Sequence, residues 1–192
     1  MAYTTYFDLT LRHDPDGIPL WDRLGRVWRI THVASKRVGV PFAVAFPGWM
    51  REGFGLGATL RVFVPGADVA DRLYEAIEQA PGIADLVEGS RVRSLKGVPN
   101  AFEAYFMHRI PSGVSKTRKT VPVDVEEALH RQARIRRRAQ QQHLPYVHMR
   151  SSTGNGFRLV VERVSITQTG EGIPNGYGLS RATQIVALPV VD

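Results

Sequence analysis

The sequence predicts an α+β fold in two parts, on three observations. Segments with β-type and helical periodicity alternate in a fixed order through the first hundred residues. Glycine and proline pairs punctuate them. The net charge of +7 is then confined to one later stretch that carries its own helix. As a soft prior, 192 residues make one or two domains.

Residues 3–11 (YTTYFDLTL) are β-rich and roughly alternating, which predicts a strand. A turn follows at His13–Gly17, through Asp14, Pro15 and Asp16. Leu20, Leu24, Val27, Thr31 and Ala34 recur at helical spacing, so about 19–35 is a helix. Residues 41–46 (PFAVAF) form a strand ended by Pro47-Gly48, and a glycine-rich loop leads to a third strand over 58–64. Val69, Leu73, Ile77 and Ala80 share one face of a helix over 67–79, closed by Pro81-Gly82. Residues 88–96 supply a fourth strand. The order strand–helix–strand–strand–helix–strand is the ferredoxin-like, or RRM-like, arrangement, expected over 1–100. Many RNA-binding domains use it, but the fold alone licenses no function.

Residues 101–192 read as a second, RNA-binding domain. An extended segment at 102–110 and a basic loop at 111–122 precede a helix over about 124–142. Asp124 suits its N-cap, with Glu126 and Glu127 in the first turn. Its apolar face is thin, mainly Val125, Leu129 and Ala133, so a docked partner is expected to stabilise it. Two strands, 145–149 and 157–164, flank the turn SSTGNG, and a last strand covers 183–191.

The charge decides the class of partner. Residues 107–150 hold ten Lys/Arg against three Asp/Glu, and the rest of the chain holds fifteen of each. A charge concentrated in one segment is aimed at a polyanion, most commonly a phosphate backbone. Arg131, Arg134 and Arg138 share a helical face, with Arg136 and Arg137 to either side. Guanidinium forks suit phosphates and the guanine edge. There is no Cys, which excludes disulfides and thiolate chemistry. Asp8, Arg12, Asp14 and Asp16 argue against a signal peptide, and no apolar run approaches the roughly 20 residues of a membrane span. A cytoplasmic protein without a membrane partner is expected.

His32 is the leading candidate for proton transfer. It sits on the flank of the Leu24–Val27–Thr31 stripe, outside the predicted core, and histidine titrates near neutrality. His108, His130, His143 and His148 are rivals; Asp8 and Asp22 are assigned to turns and caps. No spacing suggests a metal site, a Walker lysine or a nucleophile elbow, so neither metal nor cofactor is expected. The polar run from Arg150 to Phe157 offers hydroxyls and backbone N–H groups to a ribose or phosphate.

Taken together, several segments resemble the type I-F CRISPR RNA-processing endoribonucleases. Tyr6-Phe7-Asp8-Leu9 is similar to the family's first strand, and Ala43–Pro47 to its strand downstream of the histidine. Leu144–Ser151, Ser152-Thr153-Gly154, Phe157-Arg158-Leu159 and Tyr177-Gly178-Leu179-Ser180 are the most specific matches. The resemblance implies His32, Ser151 and Tyr177 as catalytic residues. It implies Arg109 as a base reader, Phe157 as the aromatic stacked under the hairpin, and Arg131, Arg134, Arg137 and Arg138 in the groove. Three departures are visible: Pro111 stands where the family has Gln, His32 requires a one-residue gap relative to the downstream strand, and a serine hairpin one residue shorter leaves Ser152 competing with Ser151. The implied activity is metal-independent cleavage of the repeat hairpin of precursor CRISPR RNA by 2′-OH attack, giving 2′,3′-cyclic phosphate and 5′-OH ends. The implied partners are the retained 3′ hairpin of the guide RNA and the other subunits of a surveillance complex, with a backbone subunit alongside. A non-catalytic hairpin-binding module and a DNA-binding protein are the alternatives.

Overall fold

The alternating apolar pattern of the first strand has an immediate structural counterpart: β1 (Thr5–Leu11) runs through the middle of a sheet with nearly all its residues buried. The structure is a computed structural model that describes residues 3–13, 17–50, 55–111, 133–134, 137, 140, 143–150, 154–167 and 172–191, with the side chains of 109–111 excepted. After β1 come α1 (Leu20–Val38), β2 (Ala43–Ala45), β3 (Thr59–Val64), α2 (Ala67–Glu78), the short α3 (Ile83–Leu86), β4 (Val87–Gly89) and β5 (Arg93–Ser94). The first sheet has the order β2-β3-β1-β4, with β5 also on β1, and every pairing is antiparallel. The single strand expected at 88–96 is two short pieces. Ser90 explains the break, because its hydroxyl accepts the Asp8 N–H at 2.8 Å while its own N–H donates to the Asp8 carbonyl at 2.8 Å.

The second sheet is β7-β8-β6-β9, again antiparallel, built from β6 (Phe102–Pro111), β7 (Tyr146–Arg150), β8 (Gly156–Ile166) and β9 (Leu188–Pro189). The last strand is far shorter than the expected 183–191. Arg181 and Gln184 exchange backbone hydrogen bonds at 3.0 Å, a turn that takes those residues out of the ladder. Of the expected strand, Leu188 and Pro189 pair with β6. Residues 133, 134, 137 and 140 are helical, and the rest of the expected 124–142 helix lies outside the described residues. Among the described residues, no helix is long and apolar enough to cross a membrane.

The two sheets share one core. Trp28 of α1 meets Phe46 edge-on at 5.2 Å, and Phe46 meets Tyr105 of β6 at 5.2 Å. Such aromatic pairs contribute about 0.5–1.5 kcal/mol beyond their buried area. The buried Tyr105 hydroxyl is satisfied: it donates to Glu103 at 2.5 Å and accepts the Phe46 N–H at 3.2 Å. Burial, then the Glu103 carboxylate, pushes that phenol well above its ordinary pKa. Asp8 is not the turn residue the sequence suggested. From β1 it takes a forked pair from Arg61 of β3, at 2.8 and 3.0 Å, and Arg61 also donates to the Val191 carbonyl at 2.5 Å. Burial opposes the Arg61 charge, and the Asp8 pair outweighs it, holding the pKa raised. The C-terminal segment is thereby fastened to the first sheet.

Helix α1 carries the site, and a glycine sets its position. A Cβ on Gly25 would lie 2.1 Å from the carbonyl oxygen of His148 in β7, so only glycine allows this approach of helix to strand. Asp22 adds a hydrogen bond across the same seam, its carboxylate 2.9 Å from His148 Nδ1. Gly25→Ala should therefore force α1 and β7 apart. The expected cost is about 1–3 kcal/mol, read as a lowered thermal midpoint together with slower RNA cleavage. A variant that melts and cuts like the parent would contradict this packing.

Candidate active site

His32 lies one turn beyond the buried Trp28 and next to the buried Thr31, on the margin of the helix face that enters the core. It is half-buried. Its Nδ1 is hydrogen-bonded to the carbonyl oxygen of Gly176, which is distant in sequence. A carbonyl can only accept, so Nδ1 carries the proton of that bond. In the neutral ring this leaves Nε2 with the lone pair, the state a general base requires. The imidazole also stacks on Tyr177, with centroids 4.8 Å apart and planes at 23°.

The segment opposite His32 is a side-chain-locked turn. The Asn175 Oδ1 accepts from the backbone N–H of Tyr177 at 2.8 Å and of Leu179 at 3.2 Å. Asn is suited to this self-bonding turn. Gly178 has φ +79°, and a Cβ there would strike the Phe42 ring at 2.8 Å, so the position is restricted to glycine. Two outside bonds fasten the turn: Trp28 Nε1 donates to the Tyr177 carbonyl at 2.8 Å, and the Val44 N–H donates to the Gly178 carbonyl at 2.9 Å. Helix α1 and strand β2 thus hold the same turn from two sides, and the His32–Tyr177 pair inherits their rigidity.

Phe157 of β8 closes the inner side. Its ring meets Tyr177 edge-on at 6.4 Å and 67°, and it is 3% exposed, so almost none of its surface is open to a base in this structure. The structure therefore brings together His32, Tyr177 and Phe157. Arg109 lies in β6 opposite Leu159 of β8, placed by its backbone. Arg134 and Arg137 are helical and exposed. Ser151, Ser152, Arg131 and Arg138 lie outside the described residues. Two rival histidines are otherwise engaged: His108 faces Glu162 at 2.8 Å, and His148 pairs with Asp22. Asp22 was assigned to a cap; two residues beyond the helix start, its carboxylate reaches β7 instead.

Sequence reading did not single out Trp28 or Asn175. The Asn-Gly-Tyr-Gly run was a usable signal for a turn, whereas nothing in the sequence marks the indole N–H of Trp28 as its partner. Asn175→Ala strips two backbone N–H groups of their acceptor. It should slow single-turnover cleavage roughly 10- to 100-fold through misplacement of the ring pair, with RNA affinity within a few-fold. An unchanged rate would remove this turn from the account.

A basic α+β chain matched over residues 6–190 by a family model of CRISPR-associated proteins is a CRISPR-associated RNA-processing protein. The chain belongs to the CRISPR-associated protein (Cas_Csy4) family, the type I-F RNA-processing endoribonucleases. The match spans His32, Phe157 and Tyr177 alike. No curated protein matches the sequence.

Proposed function

We propose that this protein binds the repeat hairpin of precursor CRISPR RNA and cuts it by attack of the 2′-OH just upstream of the scissile phosphate. The observation that carries the reading is the His32 tautomer: Nδ1–H is given to the Gly176 carbonyl, so Nε2 is free to take or polarise the hydroxyl proton. The oxygen–phosphorus bond forms in line as the bond to the 5′-oxygen breaks, and the departing 5′-oxygen takes a proton from water while the imidazolium returns its own to solvent. The products are a 2′,3′-cyclic phosphate and a 5′-OH. Tyr177 keeps the imidazole plane fixed, and Ser151, or its neighbour Ser152, holds the ribose in the attacking conformer. Lys/Arg and backbone donors balance the phosphorane charge. The nucleophile belongs to the RNA and its proton partner to the chain, so the step needs no metal.

Hairpin binding is assigned to the second part of the chain, from about residue 101. Arg134 and Arg137, with Arg131 and Arg138, meet the groove of the stem, and Arg109 reads a base near its foot. Phe157 stacks beneath the last base pair once a neighbouring group uncovers its ring. The first part, 1–100, is a ferredoxin-like domain; its β2-β3-β1-β4 order and strand–helix–strand–strand–helix–strand succession support this. After cleavage the protein stays on the 3′ hairpin of the guide RNA in a cytoplasmic type I-F surveillance complex, beside the backbone subunit.

The test is incubation with the repeat encoded beside the gene, as RNA and as DNA of the same sequence. Cutting at one site at the hairpin's 3′ foot, in RNA alone, is expected. Tight binding without cutting would leave a hairpin-binding module. Preference for DNA would overturn the reading.

A further inference from the structure

A second basic surface lies mostly outside the segment that holds the net charge. A groove of about 1260 Å³ runs along the outer face of α1, between the β7–β8 end of the second sheet and the α2–α3 corner of the first. From Asp22 to Arg37 this face spans roughly 22 Å at 1.5 Å per residue. Arg26, Arg29 and Arg37 line it from the helix, and Arg150 and Arg158 from the strands, all five exposed. Against them stand two carboxylates, Asp22 and Asp85, and Asp22 is already paired with His148. Arg37 also donates to the Ala76 carbonyl at 2.7 Å, which fixes one end of the row.

An aromatic platform adjoins the other end. Trp21, 43% exposed, lies 6.3 Å from the Tyr146 ring. The Arg158 guanidinium sits 5.0 Å from the centre of Tyr146, and the His148 ring is 5.5 Å away. A row of cations beside partly open aromatic rings is what single-stranded nucleic acid requires, phosphates along the groove and bases on the rings. The groove shares one wall residue with the candidate active site. Phe157 lines it and touches Tyr177, which stacks on His32.

We propose that this groove binds the single-stranded RNA on the 3′ side of the cut. The assignment to that strand rests on the function proposed above. There the hairpin, upstream of the scissile phosphate, is held by the arginine helix, so the strand leaving the His32–Tyr177 pair is the downstream one. The groove supplies affinity for the uncut precursor and releases the flank once the chain is severed, while the hairpin stays.

The experiment compares four RNAs, each uncleavable through a 2′-deoxy at the cut: the hairpin alone, the hairpin with about eight unpaired nucleotides on its 3′ side, the same extension on its 5′ side, and the free strand. For single strands the slope of log K against log salt is about −0.7 per neutralised phosphate. With two or three contacts, the 3′ extension should tighten wild-type binding about tenfold and steepen the slope by roughly 1–2. In Trp21→Ala/Arg26→Ala/Arg29→Ala the 3′ extension should add less than twofold, while affinity for the bare hairpin and cleavage of a ribose hairpin with a single nucleotide beyond the cut stay unchanged. A wild type indifferent to the extension overturns the proposal and leaves the groove to an acidic protein partner. So does an equal gain from the 5′ extension, or a variant that keeps the full gain. Failure to bind the bare hairpin would instead sink the proposed function. The groove then stands on the free strand alone, bound by wild type and lost in the variant, or falls if wild type does not bind it.

Discussion

His32→Ala should abolish cleavage of the repeat hairpin while affinity for it stays within a few-fold. General acid–base catalysis by one positioned side chain contributes about 10²–10⁴-fold. The larger value is expected here, because Nε2 is the lone-pair nitrogen of a neutral ring held by the Gly176 carbonyl and the Tyr177 stack. Affinity should hold because the histidine meets a single ribose, whereas the basic segment meets many phosphates. The check is single-turnover cleavage beside a binding titration with uncleavable RNA. His108→Ala and His148→Ala serve as controls, since both rings are committed to carboxylates. A variant cutting at the wild-type rate would take the proton-transfer role from His32, and a uniform loss of binding would make the residue structural.

Replacing Arg134 and Arg138 together by Ala should weaken hairpin binding strongly and flatten its salt dependence. The two lie four apart in the sequence, which on a helix places them on one face and within reach of the same groove. Arg134 is helical and exposed. For duplexes the slope of log K against log salt is about −0.9 per neutralised phosphate. Losing two contacts should then reduce it by roughly 1–2. If either residue reads a guanine edge, the loss becomes sequence-dependent, about 1–3 kcal/mol, with a smaller change in slope. Salt titration of wild type and double variant with an uncleavable hairpin separates these cases. Unchanged affinity and slope together would mark the arginine helix as a solvated face.

Periodic elements were legible in the sequence, and the contacts between them were not. The α1 and α2 stripes announced their helices to within a few residues, because burial of one face leaves a 3.6-residue trace. The break between β4 and β5 was not legible. It depends on one serine hydroxyl replacing a ladder partner, and Ser90 leaves no periodic mark. Of the candidate site, His32 was legible from its place on the flank of the stripe, and Tyr177 and Phe157 from a family resemblance. The joining of His32 to residues 175–179 was not, since it depends on Trp28 and Val44 reaching across the sheet junction. Asp22 and His148 show the same limit: a cap residue by its position in sequence proved to be the hydrogen-bond partner of a side chain 126 positions away.

The central claim, a 2′-OH nucleophile activated by a residue of the chain, meets its most direct test in one measurement. Single-turnover cleavage of the repeat hairpin is followed in excess EDTA, with ribose and with 2′-deoxyribose at the scissile nucleotide, and the product ends are identified. The ribose substrate should be cut at the same rate as in divalent ion, leaving a 2′,3′-cyclic phosphate, and the deoxy substrate should remain intact. Efficient cutting of the deoxy substrate, or strict dependence on added divalent ion, would contradict the account.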